Sequence, residues 1–84
     1  MDEHPNTFHL VIASVGENRF DGAALSATIP TTDGEITILP DHEPIIATLK
    51  PGTITVRTTL GEPQEFPIEH GVLECSNSNV VVLL

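Results

Sequence analysis

Apolar and polar side chains alternate one by one along much of the chain, the period at which a β-strand sends successive residues to opposite faces. Phe8, Leu10 and Ile12 fall on one side of a first such segment, and Leu25, Ala27 and Ile29 on one side of another. Residues 53–60 set Ile54, Val56 and Leu60 against Thr53, Thr55, Arg57 and Thr59, a composition suited to a pleated, half-buried surface. Asp33-Gly34 separates the apolar runs 25–29 and 35–39 and offers the positive φ angles of a tight hairpin turn. Further turn signals stand at Pro51-Gly52, Gly61-Glu62-Pro63, His70-Gly71 and residues 76–79. Strands therefore recur about every 8–12 residues, the spacing of sandwiches and barrels, and the pattern predicts an all-β fold of roughly eight to ten short strands. In residues 43–50, Ile45, Ile46 and Leu49 fall at helical offsets, but a segment so short between Pro44 and Pro51 cannot hold a helix, and a short strand is expected.

No fixed-period repeat or low-complexity tract interrupts this pattern, so residues 1–84 read as one β-sandwich domain whose first six residues form a tail expected to be mobile. A domain of this size buries a modest fraction of its surface and leans on partners. Its 39% hydrophobic and 18% charged residues are globular usage, which sets disorder aside. Twelve acidic residues against Arg19, Lys50 and Arg57 give a formal charge of -9, which repels nucleic acid and anionic lipid alike. Phe8, Phe20 and Phe66 lie far apart without basic neighbours, a pattern of core packing and not of base stacking. The single cysteine, Cys75, leaves no internal disulfide, as suits the cytoplasm. The longest apolar stretch, residues 80–84, is far short of the ~20 residues of a membrane span, so no direct membrane insertion is expected and any membrane association comes through a partner.

Candidate chemistry is sparse. His4, His9, His42 and His70 never stand at i, i+4 or in a His-x-His pair, so no local metal-site spacing exists. His9 reads as a strand residue with one satisfied nitrogen, and Cys75, with no cation near it in sequence, as buried filler. Ser14, Ser26, Ser76 and Ser78 lack a nucleophile-elbow motif, and no glycine-rich loop leads into a helix, so neither catalysis nor a cofactor is expected. Residues 33–52 read as a hairpin, a rigid loop and another strand, turns that by themselves need do no more than close a sandwich.

That segment nevertheless resembles the hallmark of the N-terminal domain of the ε subunit of bacterial and chloroplast ATP synthases, Gly-Glu-x-x-Ile-x-Pro-Gly-His-x-Pro followed by Lys-Pro-Gly. The corresponding residues are Gly34-Glu35, Ile38, Pro40-Asp41-His42, Pro44 and Lys50-Pro51-Gly52. Residues 8–12 and Phe20-Asp21-Gly22 look like the family's opening strand and Phe-x-Gly turn, and Gly71-Val72-Leu73-Glu74 like the Gly-x-Leu-Glu before its closing strand. The likeness spans residues 7–84 and implies a sandwich of two roughly five-stranded sheets. It also implies a non-catalytic rotor subunit that binds the γ shaft and the ring of c subunits, couples proton flow to rotation, and sits peripherally on the cytoplasmic face of a bacterial plasma membrane. By position, Thr32, Asp33, Gly34 and Glu35 would face the c ring, with Glu35 as the acidic contact, and Ser14, Asp41, His42 and Ala47 would face γ. Asp41 replaces the family's usual glycine, which Asp tolerates because it visits left-handed conformations more readily than most residues. Glu43 stands where the family often has a small residue. Family members commonly continue into a helical hairpin; with none here, neither self-inhibition of ATP hydrolysis nor ATP binding is expected. Two other readings compete: a stand-alone acidic β-sandwich module binding protein or carbohydrate at a concave site, and a metal-dependent enzyme built on His42, His70 and nearby acids.

Overall fold

The computed structural model describes residues 6–76 and 79–84. Among them are nine strands and no helix: β1 (Phe8–Ser14), β2 (Glu17–Ala24), β3 (Ser26–Thr31), β4 (Gly34–Ile38), β5 (Ile45–Leu49), β6 (Gly52–Arg57), β7 (Gln64–Ile68), β8 (Gly71–Ser76) and β9 (Asn79–Leu83). Each expected alternating segment does form a strand, and residues 43–50 hold β5 and no helix. The expected mobile tail falls almost wholly on residues 1–5, outside the described residues, as do two of the four residues of the turn expected at 76–79.

Hydrogen bonding follows one curled path, β2-β1-β9-β8-β5-β3-β6-β7, with β4 added to β3. The path has two halves. Five strands, β2-β1-β9-β8-β5, form one; β4, β3, β6 and β7 form the other; a single residue pair, Thr31 opposite Leu49, joins them. Neighbours are antiparallel except β1 and β9, which run parallel with Leu10 opposite Val80 and Ile12 opposite Val82. The halves fold face to face as a sandwich: Leu10, Ile12, Leu73 and Val82 from one meet Ile29, Ile38, Ile54 and Val56 from the other, all fully buried in one core. Each such side chain contributes roughly 1.5–3 kcal/mol when wholly removed from water. The edge strands β2 and β7, the two ends of the path, are brought together by Phe20 and Phe66, whose rings meet edge to face at 6.0 Å.

Three sequence expectations need correction. Leu60 does not share the buried face of Ile54 and Val56: β6 ends at Arg57 and Leu60 is 91% exposed. There the Thr58 hydroxyl accepts the Leu60 amide at 3.1 Å, a local turn that displaces the strand ladder. Phe20-Asp21-Gly22 is no turn; it lies inside β2, where Gly22 faces Leu10 of β1. The chain reverses instead at Val15-Gly16, with Gly16 at φ 75°. In the β3–β4 hairpin the turn residues are Thr32 and Asp33, neither at positive φ; only Gly34, paired with Thr31 as the first residue of β4, is positive, at φ 120°.

Candidate functional site

The hairpin tip stands beyond the join between the halves. Thr32, Asp33 and Glu35 are exposed, while Ile36 and Ile38, alternating with Glu35 along β4, point inward. Among the described residues the one His–carboxylate or salt-bridge contact is His9 Nε2 with Asp21 Oδ1 at 2.7 Å, and neither Asp33 nor Glu35 has such a partner. From the tip, β4 leads through Leu39 and Pro40 to Asp41, exposed and at φ 66°, the left-handed position foreseen for a residue in the place of glycine. His42 follows, half-buried, at the entry to β5.

The outer face of the five-stranded half is built by strand register. Ile46, Glu74, Val81, Val11 and Asp21 stand side by side across β5, β8, β9, β1 and β2; Thr48, Val72, Leu83 and Ala13 form the next outward row. Ile46 is 75% exposed, Leu83 57% and Val72 47%, with Val11, Ala13 and Val81 half-buried around them. Two carboxylates stand in the array, Glu74 within it and Asp21 at its margin, the latter hydrogen-bonded to His9. The opposite outer face differs in chemistry. There Thr28, Thr37, Thr53, Thr55 and Glu65 look outward, and the Thr28 and Thr37 hydroxyls bond each other across strands at 3.1 Å. Water suits that face; the other exposes Ile46, Val72 and Leu83, with Thr48 and Glu74 among them.

The residues placed toward γ do not form one cluster. Ser14 ends β1 level with Leu49 and Gly71, whereas Asp41 and His42 precede Ile45 at the other end of β5. The register puts Ser14 about 13 Å along the strands and about 14 Å across them from Ile45. Ala47 points inward, partly buried against the core beneath the outward Ile46 and Thr48. Alternation does not mark the outward apolar residues themselves. Their signal was its failure: Ile45-Ile46 and the run Val80-Val81-Val82-Leu83-Leu84 are apolar at both parities, as strands covered on both faces are.

His9, exposed on β1, has one nitrogen satisfied by Asp21, in a surface pair that salt screens. Cys75 faces the core, 2% exposed, and burial pushes its thiol up from its ordinary value. Among the described residues no three His, Cys, Asp or Glu side chains gather as a metal site would require. An open groove of about 440 Å³ lies at the sandwich end between Val15, Arg19, Ile68, His70 and Leu84. Among the described residues no helix is long and apolar enough to cross a membrane.

Solved structures share this architecture. A chain of the Euglena gracilis mitochondrial ATP synthase, from an assembly of OSCP, F1 and c ring in rotational state 1, superposes with a TM-score of 0.86 at 23% identity. The match covers 98% of the present chain and 52% of that one. A chain from the central stalk and c ring of the Tetrahymena thermophila mitochondrial ATP synthase superposes with a TM-score of 0.74 at 16% identity, covering 89% and 60%. The present chain thus spans a little over half the length of either neighbour, and the likeness is one of fold. At the level of sequence, the family model of the ATP synthase delta/epsilon chain β-sandwich domain matches residues 7–84, from just before the first strand to the last residue, and the chain belongs to that family.

Proposed function

We propose that this domain is a non-catalytic subunit of the rotary ATP synthase central stalk. It docks the apolar outer face of β5, β8, β9 and β1 on the γ shaft and sets its hairpin tip, Thr32-Asp33-Gly34-Glu35, against the polar loops of the c ring. The observation that supports this reading is the contrast between the two outer faces: on a molecule of charge -9, the large exposed apolar side chains that lie within described strands, Ile46, Val72 and Leu83, are all on one outer face. A shaft subunit with an apolar flank would cover that face, burying roughly 800 Å² on this partner if the contact is of ordinary size. Ser14 and the Asp41-His42 loop would lie at the two ends of the contact, with Ala47 supporting it from beneath.

Asp33 and Glu35 would meet basic and amide side chains of the ring. A rim-exposed pair contributes only about 0.5 kcal/mol after screening, so the tip sets register and γ supplies affinity. The function needs no chemistry of its own. A rigid sandwich bound to both shaft and ring keeps them in step, so that ion flow through the ring drives the shaft, and it holds the domain at the membrane without entering it. Co-expression with γ from the same genome, followed by size-exclusion chromatography, tests the reading. One-to-one co-elution that Ile46→Asp abolishes is expected; a folded chain that elutes apart from its γ would refute it.

A further inference from the structure

The hairpin tip is tied down by one side chain. Thr31 continues the inward series Ala27, Ile29 along β3, where the core calls for another aliphatic residue. Among the described residues it is the one buried polar side chain, 3% exposed. Its hydroxyl donates to the Gly34 carbonyl at 2.5 Å and accepts the Asp33 amide at 3.2 Å. One side chain thus spans the whole turn, and no other side-chain hydrogen bond holds Thr32, Asp33 or Glu35 among the described residues.

Thr31 also sits where the two halves join. Opposite Leu49, it is flanked by two backbone bonds, the Thr32 amide to the Thr48 carbonyl at 2.9 Å and the Lys50 amide to the Pro30 carbonyl at 3.2 Å. Thr48 stands beside Val72 on the apolar outer face. The tip and that face are therefore linked across a single residue pair, with the Thr31 hydroxyl fixing the tip's end of the link.

We propose that Thr31 is a positioning residue: its hydroxyl holds the turn so that Asp33 and Glu35 meet the basic loops of the ring in one geometry, locked to the face that meets the shaft. This rests on the assignment of the tip to the c ring made above. The physical reason is pre-organisation. A turn already ordered loses less conformational entropy on binding, and an unanchored one must be ordered at the expense of affinity.

Thr31→Val keeps the shape and strand preference of the side chain and removes the hydroxyl. Loss of a hydrogen-bond anchor of this kind corresponds to roughly a two- to tenfold change. Thr31→Val should therefore speed exchange of the Asp33 amide and weaken attachment of the chain to the purified γ–c-ring rotor by that factor, with affinity for γ alone unchanged. Thr31→Ser, which retains the hydroxyl, should behave as the parent. In the unaltered chain the Asp33 amide should exchange more slowly than the exposed turn amides of Gly61 and Glu62; equal rates would overturn the proposal without any variant. So would rotor attachment that Glu35→Ala weakens and Thr31→Val does not, or a Thr31→Ser chain as impaired as Thr31→Val. Attachment indifferent to both Glu35→Ala and Thr31→Val would remove the tip's assignment to the ring, and this proposal with it.

Discussion

Replacing Ile46 probes the apolar face most directly. In the isolated domain its side chain is 75% exposed, and its neighbours in the outward rows are Glu74, Thr48 and Val72. A polar residue there costs the free domain little, within about 0.5 kcal/mol, because no core contact is lost. Against a covering partner the cost is different. Full burial of an aliphatic side chain is worth roughly 1.5–3 kcal/mol, so covering the exposed share of Ile46 contributes about 1–2 kcal/mol, or roughly a 5- to 30-fold change in Kd. With Leu83 at 57% and Val72 at 47% exposure, the three together supply on the order of 3–5 kcal/mol. Ile46→Ala should therefore weaken binding to γ by about five- to tenfold, and Ile46→Asp by more, since it buries a carboxylate without a partner. Titration calorimetry with purified γ measures the loss, and thermal melting of each variant verifies that the domain itself is intact. Leu60→Asp is the control: Leu60 is 91% exposed but lies in the β6–β7 loop of the other half, so its replacement should leave binding unchanged. Wild-type affinity in Ile46→Asp, or an equal loss in Leu60→Asp, would refute the assignment of this face.

Other expectations concern the fold. Gly71 sits at φ 157°, and a Cβ there would lie 2.8 Å from the Leu83 carbonyl oxygen, a backbone atom that cannot yield; Gly71→Ala should cost about 1–3 kcal/mol, read as a lowered midpoint in urea. Ile54→Ala, at a fully buried position between the halves, should cost about 2–5 kcal/mol in the same assay. Burial raises the folded pKa of Cys75, so the folded state keeps its proton where the unfolded state has lost it. The thiol's contribution to stability is complete below its ordinary range near pH 8.5 and falls as pH rises above it. Unfolding midpoints of the parent measured from pH 7 to 10 should show an alkaline loss that Cys75→Val lacks; parallel curves would count against a buried thiol.

Period-2 alternation located the strands wherever one face meets the core and the other meets water: Phe8-Leu10-Ile12, Ala27-Ile29 and Ile54-Val56 are buried as their spacing required. It misled at Leu60, where the Thr58 hydroxyl captured a backbone amide; the turn at Phe20 to Gly22, which the family resemblance implied, lies instead inside a paired strand. A side chain's competition for backbone hydrogen bonds is settled locally but leaves no mark on hydropathy. The turn at Val15-Gly16 was missed for a related reason: Gly16 alone carries it, and a single glycine is a weak signal.

The candidate site divides along the same line. Sequence alone determined an all-β domain with a core of aliphatic residues, an acidic surface, and an exposed acidic hairpin at Asp33 to Glu35, because these depend on local period and residue type. Tertiary structure decided which apolar residues would be left over. The parallel pairing of β1 with β9 and the single joint between Thr31 and Leu49 connect residues far apart in the chain. Neither has a local signature, since strand order is fixed by how sheets close on one core. Only that closure sends Val72 and Leu83 to the same outer face as Ile46, separates Ser14 from His42, and turns Ala47 inward. A strand's sequence settles what alternates within it; which face becomes the interior is settled by the strands beside it.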